Sequence, residues 1–274
     1  MTAANQYAPL QVPDEFERHW NNPVKEMQRE LPDSVCAILR EFVGGLTRIL
    51  SAKLYGIYMH GATVFPDAGP ILDIDCHVVL NEAITYEQRQ AILELNHYLD
   101  KEFPLFGGAP DAYFVLLEEA RKTLRPKHHL NEEMCDDSWA LHCAHVRAGR
   151  YETLWGPEPT DIFPVPSFKQ IDTDLMGQLD YIKEHLCYEA YCVLNLCRII
   201  YSYSEGNVVV SKQFSGSWAK GRFPEWRKLI EAAIRYNQER RYFTGKSCPE
   251  EDRLLKDLLP DFLSFSLDYI DKIR

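Results

Sequence analysis

The chain has no Cys-x-x-Cys pair, no apolar run long enough to cross a membrane and no surplus of basic residues. Each absence excludes a class of protein. Eight cysteines without paired spacing make neither a zinc ribbon nor a disulfide framework. Cys187, Cys192 and Cys197 fall five positions apart in an apolar helical stretch and so do not share a face. They are expected as small buried core residues in a reducing cytosol. Met1 to Asp14 holds no apolar run of signal-peptide length, and no stretch reaches the roughly 18 apolar residues that a membrane span needs. A cytoplasmic protein without a membrane partner is therefore expected. The net charge of −11 argues against nucleic acid, whose phosphates demand a basic face. It is compatible with a cationic small substrate, and equally with an ordinary acidic surface.

What remains is enough for a substantial core. The chain has 274 residues, 46% of them hydrophobic, which suits one large domain or two modest ones. Residues 1–15 read as a loose tail. Val35, Leu39, Phe42, Val43, Leu46, Ile49 and Leu50 recur at helical spacing, with Asp33 or Ser34 as candidate caps. Short apolar runs at Leu54–Met59, Cys76–Leu80 and Asp111–Leu117 read as strands. Thr85 to Phe103, capped by Thr85, and Asp137 to Ala148 read as helices. Pro157, Pro159, Pro164 and Pro166 stiffen an extended segment, and the domain boundary is placed there, giving domains 1–157 and 158–274. The second reads as helices over roughly 172–188, 189–204, 224–241 and 250–272, which suggests a bundle.

The chemistry is expected in the stretch from His60 to Asp75. It joins two strands through a loop punctuated by Gly61, Pro66, Gly69 and Pro70. Side chains on a strand alternate, so Asp73 and Asp75 point to one face. Two neighbouring carboxylates repel each other unless a cation or donor lies between them. Carboxylate oxygens are ligands that Mg²⁺ prefers, with phosphate oxygens completing the shell. A glycine at the preceding turn lets backbone N–H groups approach a phosphate. Asp111 opens the third strand. If that strand lies beside the second, Asp111 joins the same acidic cluster; otherwise it is a strand-starting residue after a turn.

Other polar groups point less clearly to a site. His128-His129 and Glu132-Glu133 are expected in a solvated loop. His142 and His145 have ligand-like spacing but no third ligand is apparent, so surface or core histidines are expected. Arg198 sits in an otherwise apolar helix, where its guanidinium must pair with an acid or an anion. Lys212 is expected on a loop.

Gly61 followed twelve positions later by Asp73-Ile74-Asp75 resembles the nucleotidyltransferase pattern of Gly-Ser, a loop and Asp-x-Asp, with the spacing of the aminoglycoside 3″-adenylyltransferases. The family's Ser is Ala62 here, so a hydroxyl contact to phosphate is missing. Arg198-Ile199-Ile200-Tyr201-Ser202 resembles that family's Arg-Ile-Trp-Tyr-Ser helix. Gly206, Lys212 and Trp218-Ala219 are similar to its Gly, Lys and Trp-Ala, and Glu250 to Leu254 to a run near its C-terminus. The resemblance covers residues from about 50 to the end, loosely over 118–170.

That resemblance implies an α+β fold, with an N-terminal nucleotidyltransferase domain built on a small mixed sheet with flanking helices and a C-terminal α-helical bundle domain. It implies transfer of AMP from ATP to a hydroxyl of a small cationic acceptor such as streptomycin or spectinomycin. Asp73 and Asp75 would hold Mg²⁺. Gly61, Ala62, Arg198 and Lys212 would bind ATP phosphates. Asp111, where the family has Glu, would be the general base. Glu184 and Glu189 would meet the acceptor, with Tyr188 standing where the family has Asp. A monomer or weak dimer without a nucleic-acid partner is expected. Two other classes fit the residues: a catalytically silent nucleotide-binding protein of the same fold, and an acidic interaction protein without a nucleotide site.

Overall fold

The computed structural model describes residues 29–104, 108–131 and 134–274, apart from the side chains of Tyr242 and Phe243. The expected tail at 1–15, Gly107 and the Glu132-Glu133 pair lie outside the described residues.

Helix α1 spans Asp33–Leu50, and its apolar stripe of Val35, Ile38, Leu39, Phe42 and Leu46 is buried. Neither expected cap forms: Pro32 occupies the N-cap without a side-chain bond, and Asp33 lies in the first turn, where the helix dipole favours its charge. Strand β1 (Leu54–His60) is followed by the Gly61–Val64 turn and strand β2 (Asp75–Leu80). Helix α2 (Tyr86–Glu102) starts in a full capping box, Thr85 accepting from the Gln88 N–H while the Gln88 side chain accepts from the Thr85 N–H. Strand β3 (Asp111–Leu116) runs into a single helical turn, α3 (Leu117–Ala120); helix α4 (Trp139–Arg147) and strand β4 (Glu152–Trp155) complete this part.

The four strands form one mixed sheet in the order β3-β2-β1-β4. β1 pairs antiparallel with β2 and β4, whereas β2 and β3 are parallel. A parallel neighbour requires a crossover, which α2 supplies. On one face, Tyr58, Val79 and Val115 form a core with Trp139, Cys143 and Val146 of α4 and with Ile162 and Phe163. α4 thus covers the face that carries every second residue from Tyr58, His77 and Tyr113.

The rest is helical: α5 (Phe168–Glu184), α6 (Glu189–Glu205), α7 (Lys212–Arg222), α8 (Arg227–Gln238), the short α9 (Arg241–Thr244) and α10 (Pro249–Ile273). α6 is the central helix. Ala190, Val193, Leu194, Leu196, Ile199, Ile200 and Tyr203 bury it on most sides, and it packs against α7, α8 and α10. Near the start of α10, Glu251 accepts from Arg235 and from the nearly fully buried Arg241, both at 2.6 Å. The Glu250–Leu254 run is thereby tied into the bundle. Two compact units emerge. Among the described residues, one takes in 29–66 and Ile71–Asp174, the other Leu175–Arg274 with Asp67–Pro70. They part inside α5, between Asp174 and Leu175.

Three sequence expectations change. Lys212 is not on a loop but is the first residue of α7, after Ser211, whose hydroxyl caps the helix through the Phe214 N–H. Cys187 is exposed, while Cys192 and Cys197 are buried as expected. Asp73 does not begin the second strand, which starts at Asp75. Among the described residues, no helix is long and apolar enough to cross a membrane.

Candidate active site

Three segments meet at one end of the sheet: the end of β1 and the starts of the parallel strands β2 and β3. His60 is the register partner of Asp75, and Asp75 is the register partner of Asp111. The ladder continues one residue beyond the strand, the Asp111 N–H donating to the Ile74 carbonyl at 2.8 Å. Ile74 is buried between exposed Asp73 and half-buried Asp75, so the alternation expected of the Asp-Ile-Asp run survives although Asp73 precedes the strand.

Gly61 is the turn that makes this end work. Its φ of +69° lies in the left-handed region. A Cβ there would fall 1.8 Å from Asp75 Oδ2, so the missing side chain is the space that the carboxylate fills. Ala62 follows in the same turn, its carbonyl accepting from Arg29 Nη1 at 3.2 Å. The Thr63 hydroxyl cannot replace the serine absent at Ala62. It is buried and donates to the His60 carbonyl at 2.6 Å.

The carboxylates feel one another. Asp111 is exposed as a residue, yet its carboxyl titrates above its ordinary range. Partial desolvation at the sheet end is the larger cause and the Asp73 charge adds to it, while His142 opposes both. Three carboxylates with hard oxygen donors near one end of the sheet suit a hard divalent cation such as Mg²⁺.

Behind the carboxylates lies a cluster that sequence spacing did not reveal. His77, two residues beyond Asp75 on the same face, points Nε2 at Asp136 Oδ2 (3.3 Å). His142 of α4 points Nδ1 at the same oxygen (2.9 Å). The His60 ring stacks on His77 at 4.3 Å and lies 4.7 Å from His142. Burial alone would raise Asp136, but the His142 charge and the bonds from both histidines hold it well below the usual carboxylate range. Burial works against charge on His142 too, yet Asp136 and then Asp75 raise it. Burial lowers His77, and burial together with His77 and His142 lowers His60. His142, expected as a surface or core histidine with no third ligand apparent, has partners that spacing does not show: they come from β2 and from the loop before α4. His145 points elsewhere, packing edge-on against Phe65. His128 is buried rather than solvated, its Nδ1 accepting from the Leu130 and Asn131 N–H groups.

The start of α4 is anchored by Asp174, almost fully buried, which accepts from the Ala140 N–H at 2.8 Å. Desolvation pushes Asp174 up to about 6, against the pull of that bond and of Arg125.

In the helical unit, Arg198 is half-buried and donates to Gln178 Oε1 at 3.0 Å. Lys212 Nζ lies 5.1 Å from the centre of the Tyr191 ring. Tyr191 and Arg198 are two turns apart on α6, which sets both cations on one helix face. Glu189 is half-buried at the first residue of α6, and Glu184 is exposed at the end of α5.

A cavity of about 670 Å³ opens on the other sheet face, lined by Arg40, Val43, Thr47, Met59, Arg150 and Trp155 among others. None of the expected site residues lines it.

The described residues thus combine a strand–glycine turn–strand unit, with three carboxylates near one sheet end, and a second unit that is a helical bundle. Residues 164–253 match the family model described as the aminoglycoside adenylyltransferase C-terminal domain. The fold is that of the spectinomycin adenyltransferase AAD(9) from Enterococcus faecialis, whose crystal structure was obtained with ATP and spectinomycin. The likeness has a TM-score of 0.64 at 17% identity and covers 85% of this chain and 99% of that one. No curated protein matches the chain.

Proposed function

We propose that the chain is a Mg²⁺-dependent adenylyltransferase that moves AMP from ATP to a hydroxyl of a small cationic acceptor of the aminoglycoside class. The observation that carries this reading is the register pairing of Asp75 with Asp111 behind the Gly61 turn. The family match over 164–253 and the ligands of the AAD(9) crystal support it.

Residues 1–157 are assigned the chemistry and 158–274 the binding of nucleotide and acceptor. Asp73 and Asp75 are the residues to hold Mg²⁺, which when bound would neutralise phosphate charge. The Gly61-Ala62 backbone is left to approach a phosphate without a hydroxyl. Asp111 accepts the proton of the attacking hydroxyl; its raised pKa brings it nearer to the pH at which a general base is effective. Arg198 and Lys212 offset the charge of the leaving pyrophosphate. Glu184 and Glu189 attract the ammonium groups of the acceptor.

The test is isothermal titration of the full chain with Mg·ATP, joined to a pyrophosphate-release assay with streptomycin and spectinomycin. Mg·ATP binding and acceptor-dependent release are expected, and Asp73→Asn/Asp75→Asn should abolish both in a folded chain. Binding without release on any acceptor would favour a silent nucleotide-binding protein. Unchanged Mg·ATP affinity in the double variant would refute the metal assignment.

A further inference from the structure

We infer that His77, Asp136 and His142 form a site for a transition-metal ion of the Zn²⁺ type, separate from the carboxylates that serve ATP. The three ligand atoms, His77 Nε2, Asp136 Oδ2 and His142 Nδ1, all lie within 4.8 Å of one another. Two of the edges measure 3.3 and 2.9 Å. Ligands about 2.0–2.1 Å from a tetrahedral ion are themselves about 3.3 Å apart, so a small closure admits the ion. Two imidazoles and one carboxylate are a borderline donor set that suits Zn²⁺, Co²⁺ or Ni²⁺, whereas Mg²⁺ seeks oxygen alone.

The ligands are held by structure on three sides. His77 is fixed inside β2 and fully buried. His142 sits on α4, whose side chains Trp139, Cys143 and Val146 lock it to the sheet. The carboxylate of Asp136 is oriented by its other oxygen, which accepts from the Ser138 N–H at 2.9 Å. Such anchoring of a ligand by an outer hydrogen bond is what tunes metal sites. His77 Nδ1 is buried without a hydrogen-bond partner among the described residues, so the ring is fixed by packing and by Asp136 alone. The His142 side chain is 27% exposed and gives an ion its way in. His60, in ring contact with both histidines, is the nearest further imidazole for a fourth position. An ion here would pin α4 to β2 two residues behind Asp75 and so brace the carboxylate end of the sheet.

The probe is Co²⁺ added to the chelator-stripped full-length chain, followed by its visible absorption, with Zn²⁺ measured by calorimetry and thermal melting. One equivalent of Co²⁺ with intense tetrahedral absorption is expected, displaced by Zn²⁺ and indifferent to excess Mg²⁺. Asp136→Asn and His142→Ala, each shown to be folded by circular dichroism, should weaken binding beyond the roughly 10–100-fold that an outer-shell change costs. Asp73→Asn/Asp75→Asn should bind Co²⁺ as the parent does, which separates this site from the ATP reading. A folded parent chain that takes up no Co²⁺ overturns the inference. So does Co²⁺ binding that survives Asp136→Asn yet is lost in Asp73→Asn/Asp75→Asn.

Discussion

Asp75 and Asp111 are register partners at the first residues of two parallel strands, so their side chains leave the sheet on the same side and at the same end. A metal ligand and a proton acceptor in that relation can be told apart. Asp111→Asn keeps the shape and removes the base. A fall of about 10²–10⁴ in kcat is expected, roughly 3–5 kcal/mol of barrier, with Mg·ATP affinity nearly intact. Parent-like turnover would make Asp111 a strand-starting residue only. A parallel loss of ATP affinity would make it a third metal ligand.

Gly61→Ala should be far more damaging than one methyl suggests. The left-handed φ of +69° resists a side chain, and the added Cβ meets Asp75 Oδ2. Strain of roughly 1–3 kcal/mol is expected in denaturant unfolding, together with loss of Mg·ATP binding as Asp75 is displaced. Unaltered nucleotide affinity would show that the turn does not position Asp75.

Asp174 gives the chain a pH signature. Its carboxyl, ordinarily near 3.8, is pushed up to about 6 in the fold. Between those values the folded chain holds a proton that the unfolded chain has released, so this group makes stability fall as pH rises from about 4 to about 6. Asp174→Asn, which retains an acceptor for the Ala140 N–H, should remove that component. The stability difference between variant and parent, followed by urea unfolding across this range, should move in the variant's favour with rising pH. A constant difference would contradict the assignment.

Thr85→Ala removes one half of the capping box on α2. A loss of about 1 kcal/mol of stability is expected, and because α2 is the crossover to β3, the site should remain intact once folded. A melting temperature equal to the parent's would show that the cap is redundant.

Periodicity revealed most of the fold. β1, β2, β3, α1, α2, α4 and the helices flanking Arg198 carry enough alternation or helical spacing to be read directly. β4 and α7 are among the elements that do not. β4 has four residues, too few for a period to show. α7 reads Lys-Gln-Phe-Ser-Gly-Ser-Trp-Ala-Lys-Gly-Arg, poor in helix propensity, and it is held by the Ser211 cap and by packing. A Cβ at Gly216 would press against Leu194 and Ile234, so glycine is there for close approach to α6 and α8. At the site, the Gly61 turn and the Asp-Ile-Asp run were legible because strand alternation fixes their faces. His77 could have been added by the same alternation from Asp75. Asp136 could not, since it lies outside any regular element and nothing in its spacing points to the histidines it bridges.

The parallel pairing of β2 with β3 also fixes an order of events during folding. His60 and Asp75 can meet as soon as β1 and β2 zip together, a local closure. Asp111 is 36 positions from Asp75 and arrives only after α2 has crossed back along the sheet, so its loop-closure entropy falls on a later, slower step. A refolding chain therefore acquires the three-carboxylate end in two stages, and ion-dependent acceleration of refolding should act on the second.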